Sequence, residues 1–198
     1  MFGGVRDPEA CEGPEGVEPV RLDVTDAASI EALGRRLSGE PLDVLINNAA
    51  IRGDDGGLQT LDPEDFLQVM QVNVLGPLMV TRALLPNLRA GRRKVVANIG
   101  SRAGSMVEGT IDDEDGDIAY RCSKAALNMV TRKLAHDLRA SEVSVISLHS
   151  GWIKTDMGGN GADLGVDTSA AGLMEMIDTT KLMDTGSFRA YDGSAIAW

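Results

Sequence analysis

The sequence predicts an α/β fold, one domain built around a doubly wound parallel sheet. Three observations carry that expectation. Short β-rich runs alternate with segments of helical periodicity along the chain. One of those runs, residues 42–46, is broken only by Asp43, as in a strand buried on both faces. Small and polar residues follow three of the runs, at Asn47-Asn48-Ala49-Ala50, Gly100-Ser101 and Ser150-Gly151. In doubly wound sheets ligands sit where strands end and helices begin, so three such ends on one edge point to a shared pocket.

The elements follow in order. Residues 20–24 read as a strand, and Thr25 and Asp26 then supply the cap of a helix with the stripe Ile30, Leu33 and Leu37. Ser38-Gly39 and Pro41 end that helix, and residues 42–46 form the next strand. Residues 63–91 read as helical, with interruptions expected at Gly76-Pro77 and Pro86. Residues 94–99 are a strand, 119–140 a long helix, and 143–148 a strand. Leu127, Val130, Leu134 and Leu138 lie along one face of the long helix. A helix over residues 168–181 and a short strand over 187–191 complete the series.

Composition sets limits on function. At 198 residues the chain fits one domain, and 43% hydrophobic residues suffice for an ordinary core, which excludes general disorder. No run approaches about 18 unbroken apolar residues, so no integral membrane protein is expected. Residues 1–16 are rich in Gly, Pro and Glu and read as neither signal nor transit peptide. A net charge of −11 argues against a nucleic-acid partner and against an anionic membrane surface. Cys11 and Cys122 are too few for a disulfide framework and lack metal-ligand spacing. A reduced, cytoplasmic setting with no metal site is expected. The acidic run from Asp112 to Asp117 reads as a solvated loop. His136 reads as a helix-surface residue and His149 as a satisfied polar group ending a strand.

The chemistry-bearing set is Ser101, Tyr120 and Lys124. Tyr120 and Lys124 stand four apart at the start of the long helix and share a face. A phenol has an ordinary pKa of about 10 and is a poor acid near neutrality. A nearby ammonium favours the phenolate and is expected to bring that pKa down. The Ser101 hydroxyl could then hold a carbonyl oxygen as charge develops on it.

These residues sit in longer motifs. Tyr120-Arg121-Cys122-Ser123-Lys124 is a Tyr-x-x-x-Lys motif, preceded in order by Asn47-Asn48-Ala49-Ala50 and Asn98-Ile99-Gly100-Ser101. Asp23-Val24-Thr25-Asp26, Asn73-Val74-Leu75-Gly76-Pro77 and Gly151-Trp152-Ile153-Lys154-Thr155-Asp156-Met157 fit the same pattern. The chain resembles the short-chain dehydrogenases/reductases over residues 6–198, and within them the C-factor-like, carbonyl-reductase-like branch. That resemblance implies a Rossmann-like fold and reduction of an aldehyde, ketone or quinone with NADPH, NAD being the less favoured cofactor. By the same resemblance Tyr120 is the general acid/base and Lys124 lowers its pKa and holds the nicotinamide ribose. Ser101 orients the carbonyl, and Asn73 completes a tetrad through a water relay. Asp23 and Val24 flank the adenine, Asn47 and Ala49 line the cofactor channel, and Gly151, Ile153 and Thr155 complete the cofactor site, Thr155 touching the carboxamide. Arg6 falls where the family's second strand ends, and its fork suits the 2′-phosphate of NADP. The resemblance further implies pairing into a homodimer through two long helices, which the acidic insertion could obstruct.

The chain departs from the family pattern at four points. Ala50 replaces a glycine, Ser150 replaces a proline, and Ser101 and Tyr120 stand 19 positions apart, farther than is common. The fourth is the glycine-rich strand-turn-helix that opens the family, which would need roughly 30 residues ahead of Met1. Gly159-Asn160-Gly161 and Gly165 mimic its fingerprint within the mobile substrate loop. The chain is therefore expected to be N-terminally truncated, a single domain over residues 1–198 without its first βα unit. The absent strand is central in the doubly wound order, so two unpaired edges and a groove are expected, with low stability and weak NADP binding. A non-catalytic member with a regulatory or binding role is the alternative to a reductase.

Overall fold

The structure, a computed structural model, describes residues 1–11, 13–54, 56–109, 117–159 and 161–198. Among these residues the α-helices and strands run β1 (Phe2–Val5), β2 (Glu18–Arg21), α1 (Ala27–Arg36), β3 (Val44–Asn47), α2 (Pro63–Met70) and α3 (Gly76–Ala90). They continue with β4 (Val95–Gly100), α4 (Ile118–Asp137), β5 (Ser144–His149), α5 (Val166–Thr179) and β6 (Phe188–Ala190). All pairings between these strands are parallel.

The strands form two sheets, β1 with β2, and β3-β4-β5-β6 in that order. Between β1 and β3 runs an open cleft of about 740 Å³.

Alternation along β4 shows the double winding. Val96 packs with Leu88 of α3 and with Ala135 and Leu138 in and beside α4. Its neighbours Val95 and Ala97 point the other way, against Ile177 of α5. Successive side chains of a strand face opposite sides, so helices on both faces make such a strand apolar throughout. Each fully buried Val, Leu or Ile here contributes about 1.5–3 kcal/mol. A third cluster joins Val20 of β2 to Ile30 and Leu33 of α1 and to Val80 and Leu84 of α3, and so ties the small sheet to the large one.

Local signals explain the helix ends. The Asp26 carboxylate accepts from the Ala28 amide at 2.9 Å and starts α1, as the sequence suggests. Asp62 does the same for α2 through Glu64, with Pro63 in the first turn. The helical run 63–90 is not interrupted where the sequence led us to expect. A π-helical stretch, Gln71–Leu75, joins α2 to α3. Pro77 lies in the first turn of α3, where no amide is needed, and Pro86 is carried inside it on the exposed side.

By length and composition Pro63–Ala90 could cross a membrane, with a mean hydropathy of 1.2. In this fold it is a core element: Val69, Val72, Val80, Leu84 and Leu88 are buried, and Asn87 bonds to the carbonyls of Leu37 and Glu40. Strand β1 escapes a periodicity reading because Gly3 and Gly4 supply no side-chain pattern. A Cβ at residue 4 would lie 2.9 Å from the end of the Leu22 side chain, which would have to shift to make room.

Candidate active site

The site assembles at the ends of β3, β4 and β5 and the start of α4. A chain of buried amides and hydroxyls fixes these elements together. Asn47 at the end of β3 donates to Asn98 of β4 at 2.8 Å, and Asn98 donates to Thr131 of α4 at 2.9 Å. Ser147 of β5 donates to Asn128 of α4 at 2.9 Å, and Asn128 donates to the Gly104 carbonyl at 3.3 Å. Buried polar groups that are all bonded hold one geometry, because any shift leaves one of them unpaired.

Ser101 follows β4 directly and caps the 3₁₀ turn Arg102–Gly104 by accepting from the Ala103 amide at 3.2 Å. That turn lies on α4 so closely that only glycine fits at residue 104. A Cβ there would come within 2.7 Å of the Ala125 nitrogen. The contact brings Ser101 to the first turn of α4, where its hydroxyl is close enough to pull the Tyr120 pKa down. One turn on, the Lys124 ammonium stands 5.4 Å from the Tyr120 ring centroid and donates to the Ile99 carbonyl at 2.8 Å. Ser101, Tyr120 and Lys124 are thus brought together.

Asn73 lies in the π-helical stretch, and its side chain is buried. It donates to the Ile51 carbonyl at 2.8 Å and to Ser123 at 2.9 Å, and accepts from the Ile51 amide at 2.9 Å. Ser123 in turn donates to the Tyr120 carbonyl at 2.7 Å. Asn73 therefore joins the loop after β3 to the helix that bears the tyrosine. Single π-helical turns recur at functional sites because they swing one side chain out of register.

The electrostatics correct one expectation. Burial pushes the Tyr120 phenol above its ordinary value, against the pull of the Ser101 hydroxyl. Burial also lowers Lys124 to about 8. The ammonium is bonded to the Ile99 carbonyl, and in this state desolvation has the largest effect on the phenol.

Asp117 is a second correction. Expected from the sequence to belong to a solvated acidic loop, it is buried just before α4. Its carboxylate is 2.5 Å from Arg121 Nε and 3.8 Å from Arg52. Asp117 raises the Tyr120 pKa, and Arg52 and Arg121 lower it. The signal was present: Asp117 and Arg121 are four apart across the helix start. The remainder of the acidic run, residues 112–116, lies outside the described residues. His149 matches its reading, accepting from the Arg102 amide at 3.4 Å, and burial lowers it to about 4.

The expected cofactor residues line up along the strand ends. Arg6 is exposed just beyond β1, and its charge helps hold the Asp23 carboxyl below the usual range, after the hydrogen bonds from Thr25. Val24, Asn47 and Ala49 line the cleft between the sheets. The Asn47 side chain is spent on Asn98 and Thr81, which leaves its backbone to the cleft. Beyond β5, Gly151 has a φ of 81°. Ile153 bridges to Leu164, and Thr155 accepts from the Gly158 amide at 3.2 Å. This donor set suits the two ends of a dinucleotide: a guanidinium and a carboxylate for the adenosine half, and Lys124 with Tyr120 for the nicotinamide half. Among the described residues, no glycine-rich strand-turn-helix faces the middle.

A Rossmann-like fold with a serine after β4 and a tyrosine and a lysine on the first turns of α4 defines an NAD(P)-dependent oxidoreductase. A sequence model described as short chain dehydrogenase matches residues 8–163, and the chain belongs to the short-chain dehydrogenase/reductase family. It is 42% identical over 158 residues to the C-signal of Myxococcus xanthus, covering 80% of this chain and 93% of that one. It is 36% identical over 188 residues to a 1-hydroxy-2-glutathionyl-2-methyl-3-butene dehydrogenase of Rhodococcus sp. (strain AD45), covering 92% of this chain and 80% of that one. Its fold superposes on an NADPH-bound carbonyl reductase from chicken fatty liver with a TM-score of 0.88 at 33% identity, covering 100% of this chain and 87% of that one.

Proposed function

We propose that this protein reduces a small carbonyl compound, an aldehyde, ketone or quinone, to the alcohol with NADPH, and that Tyr120 is the proton donor. The single observation that supports this most is the Ser101 hydroxyl acting on the Tyr120 phenol with Lys124 against the ring. When bound, the nicotinamide supplies the hydride. Ser101 and Tyr120 hold the substrate oxygen between their hydroxyls. Tyr120, kept neutral by burial, gives its proton to that oxygen as charge grows on it. Lys124 stabilises the phenolate left behind and refills its proton from the Asn73 side of the helix.

Arg6 and Asp23 hold the adenosine half, Arg6 favouring the 2′-phosphate. Val24, Asn47 and Ala49 form the channel, and Gly151, Ile153 and Thr155 cover the carboxamide. Support for NADP over NAD comes from Arg6 and from the NADPH-bound relative in fold. The single domain over residues 1–198 works in the cytoplasm. Exposed Leu67 on α2 and Met129 on α4 support pairing of two copies through those helices.

NADPH oxidation is followed with a panel of carbonyls. The Tyr120→Phe variant is expected to lose about 10²–10⁴-fold in kcat/KM. Equal activity in the two proteins would remove the tyrosine mechanism. The divided sheet favours a second reading, in which the chain acts as a binding or regulatory member. In that case neither protein oxidises NADPH with any carbonyl of the panel.

A further inference from the structure

Residue 52, in the loop after β3, is fixed by bonds on both sides of it. On one side the Asn73 side chain holds both the amide and the carbonyl of Ile51, at 2.9 and 2.8 Å. On the other, Gly53 turns the chain with a φ of 76°, and the Asp54 amide donates to Asp65 of α2 at 2.9 Å. The Arg52 guanidinium is thereby carried to the start of α4, where it stands 3.8 Å from the Asp117 carboxylate. Asp117 is also held by Arg121 Nε at 2.5 Å, and Arg121 donates to the Gly109 carbonyl. The same Asn73 reaches the Tyr120 carbonyl through Ser123, so the segments that carry Arg52 and Tyr120 share one anchor.

A carboxylate whose side chain is 7% exposed needs opposite charge beside it. Asp117 stands three residues before Tyr120 and Arg121 one after, so the charges that satisfy the carboxylate also lie around the phenol. Both guanidiniums favour the phenolate, and Asp117 opposes it. Neighbouring elements add Lys124 on α4 itself, Asp65 of α2, and, after β4 and β5, the Arg102–Glu108 pair and His149, which is neutral above about pH 4. Arg121 moves with the phenol because both sit on α4. Arg52 belongs to another element, so its approach to Tyr120 is set by the packing of the loop after β3.

We propose that Arg52, locked against the start of α4 by Asp117, is a positioning residue of the reduction whose charge stabilises the Tyr120 phenolate once its proton has left. The inference rests on Tyr120 being the proton donor. As the substrate oxygen takes that proton, the O–H bond of Tyr120 breaks and its electron pair stays on the phenol oxygen. A negative charge then appears in a half-buried site, where nearby positive charge counts for more than in water. Arg52 and Arg121 add to what Lys124 supplies there. Asp117 anchors Arg52 and balances the two guanidiniums, so that the phenol keeps its proton until a carbonyl is bound.

The test reads the phenol directly. The chain has two tyrosines, Tyr120 and Tyr191, so subtracting the Tyr120→Phe protein isolates one phenol in the ultraviolet absorbance of phenolate. At about pH 10, the ordinary phenol value, with the fold checked by circular dichroism, Arg52→Gln is expected to lower the ionised fraction of Tyr120 and Asp117→Asn to raise it. Loosening of the site would move both variants the same way. In NADPH oxidation Arg52→Gln is expected to lose about tenfold in kcat with KM for the carbonyl unchanged, and Arg52→Lys to recover most of the loss. The Arg52 side chain is 34% exposed, so its variants decide alone where Asp117→Asn does not fold. An unmoved phenol, shifts in one direction, or the parent's kcat in Arg52→Gln overturns this inference and leaves the tyrosine mechanism standing. Full activity in Tyr120→Phe, or no oxidation by the parent, removes that mechanism and this inference with it.

Discussion

The Lys124 ammonium lies 5.4 Å from the centre of the Tyr120 ring and is anchored to the Ile99 carbonyl at 2.8 Å. The lysine is therefore oriented by β4 and not by the phenol. With the phenol raised by burial and Lys124 lowered to about 8, the resting pair at neutral pH is a neutral tyrosine beside a charged lysine. That is the state that proton donation to a carbonyl needs. Loss of the Lys124 proton removes the charge that stabilises the phenolate. We expect kcat/KM for reduction to be flat from about pH 6 to 7 and to fall with a limb near pH 8. A pH profile from 6 to 9.5 checks this, and Lys124→Met is expected to erase the limb together with most of the activity.

Arg6 makes a cofactor prediction. A guanidinium on a phosphate contributes about 1.5–3 kcal/mol, and 1.4 kcal/mol is tenfold. Arg6→Ala is expected to raise KM for NADPH roughly ten- to hundredfold with little change for NADH. An exposed arginine without a cofactor role would leave both values unchanged.

Gly104 tests how Ser101 is placed. A methyl group at residue 104 collides with the backbone of Lys124 and Ala125, which neither element can move from easily. Gly104→Ala is expected to cost about 1–3 kcal/mol in urea unfolding. Because it lifts the turn that follows Ser101, it should also lower kcat beyond what the lost folded fraction explains. Activity per folded molecule equal to the parent would show that Ser101 is held by other means.

His149 sets an acid limit. Burial lowers it to about 4 from 6.5, so the unfolded chain takes up a proton before the folded one does. Its contribution to stability is complete above pH 6.5 and is lost as the pH falls toward 4, about 3 kcal/mol in all. Thermal midpoints between pH 7 and 4.5 should fall more steeply than in His149→Gln.

Much of this was legible in the chain itself. Asp26 as a cap, the stripe Ile30–Leu33–Leu37, and the apolar strands around Val96 and Val145 follow from spacing, because a one-face or two-face burial pattern repeats with the period of the element. The Tyr120/Lys124 pair was readable for the same reason, four residues being about one helical turn. Strand β1 was not, since glycines carry no pattern. The π-helical stretch at Gln71–Leu75 was missed because residues that continue a helix do not announce a register shift, whereas Pro77 and Pro86 announced breaks that α3 absorbed.

By itself the sequence determined which groups can do chemistry and the order of strands and helices that carries them. Only the tertiary structure decided their states. Asp117 became a buried ion-pair partner beside Tyr120 instead of a solvated charge, and the phenol moved up instead of down. Side-chain identity fixes what a group can donate or accept, but its pKa depends on how much water is removed and which charges come near, and those are set by segments distant in the chain. The same holds for β3. Its residues spell a strand buried on both faces, and it is the division of the sheet that leaves Ile46 exposed.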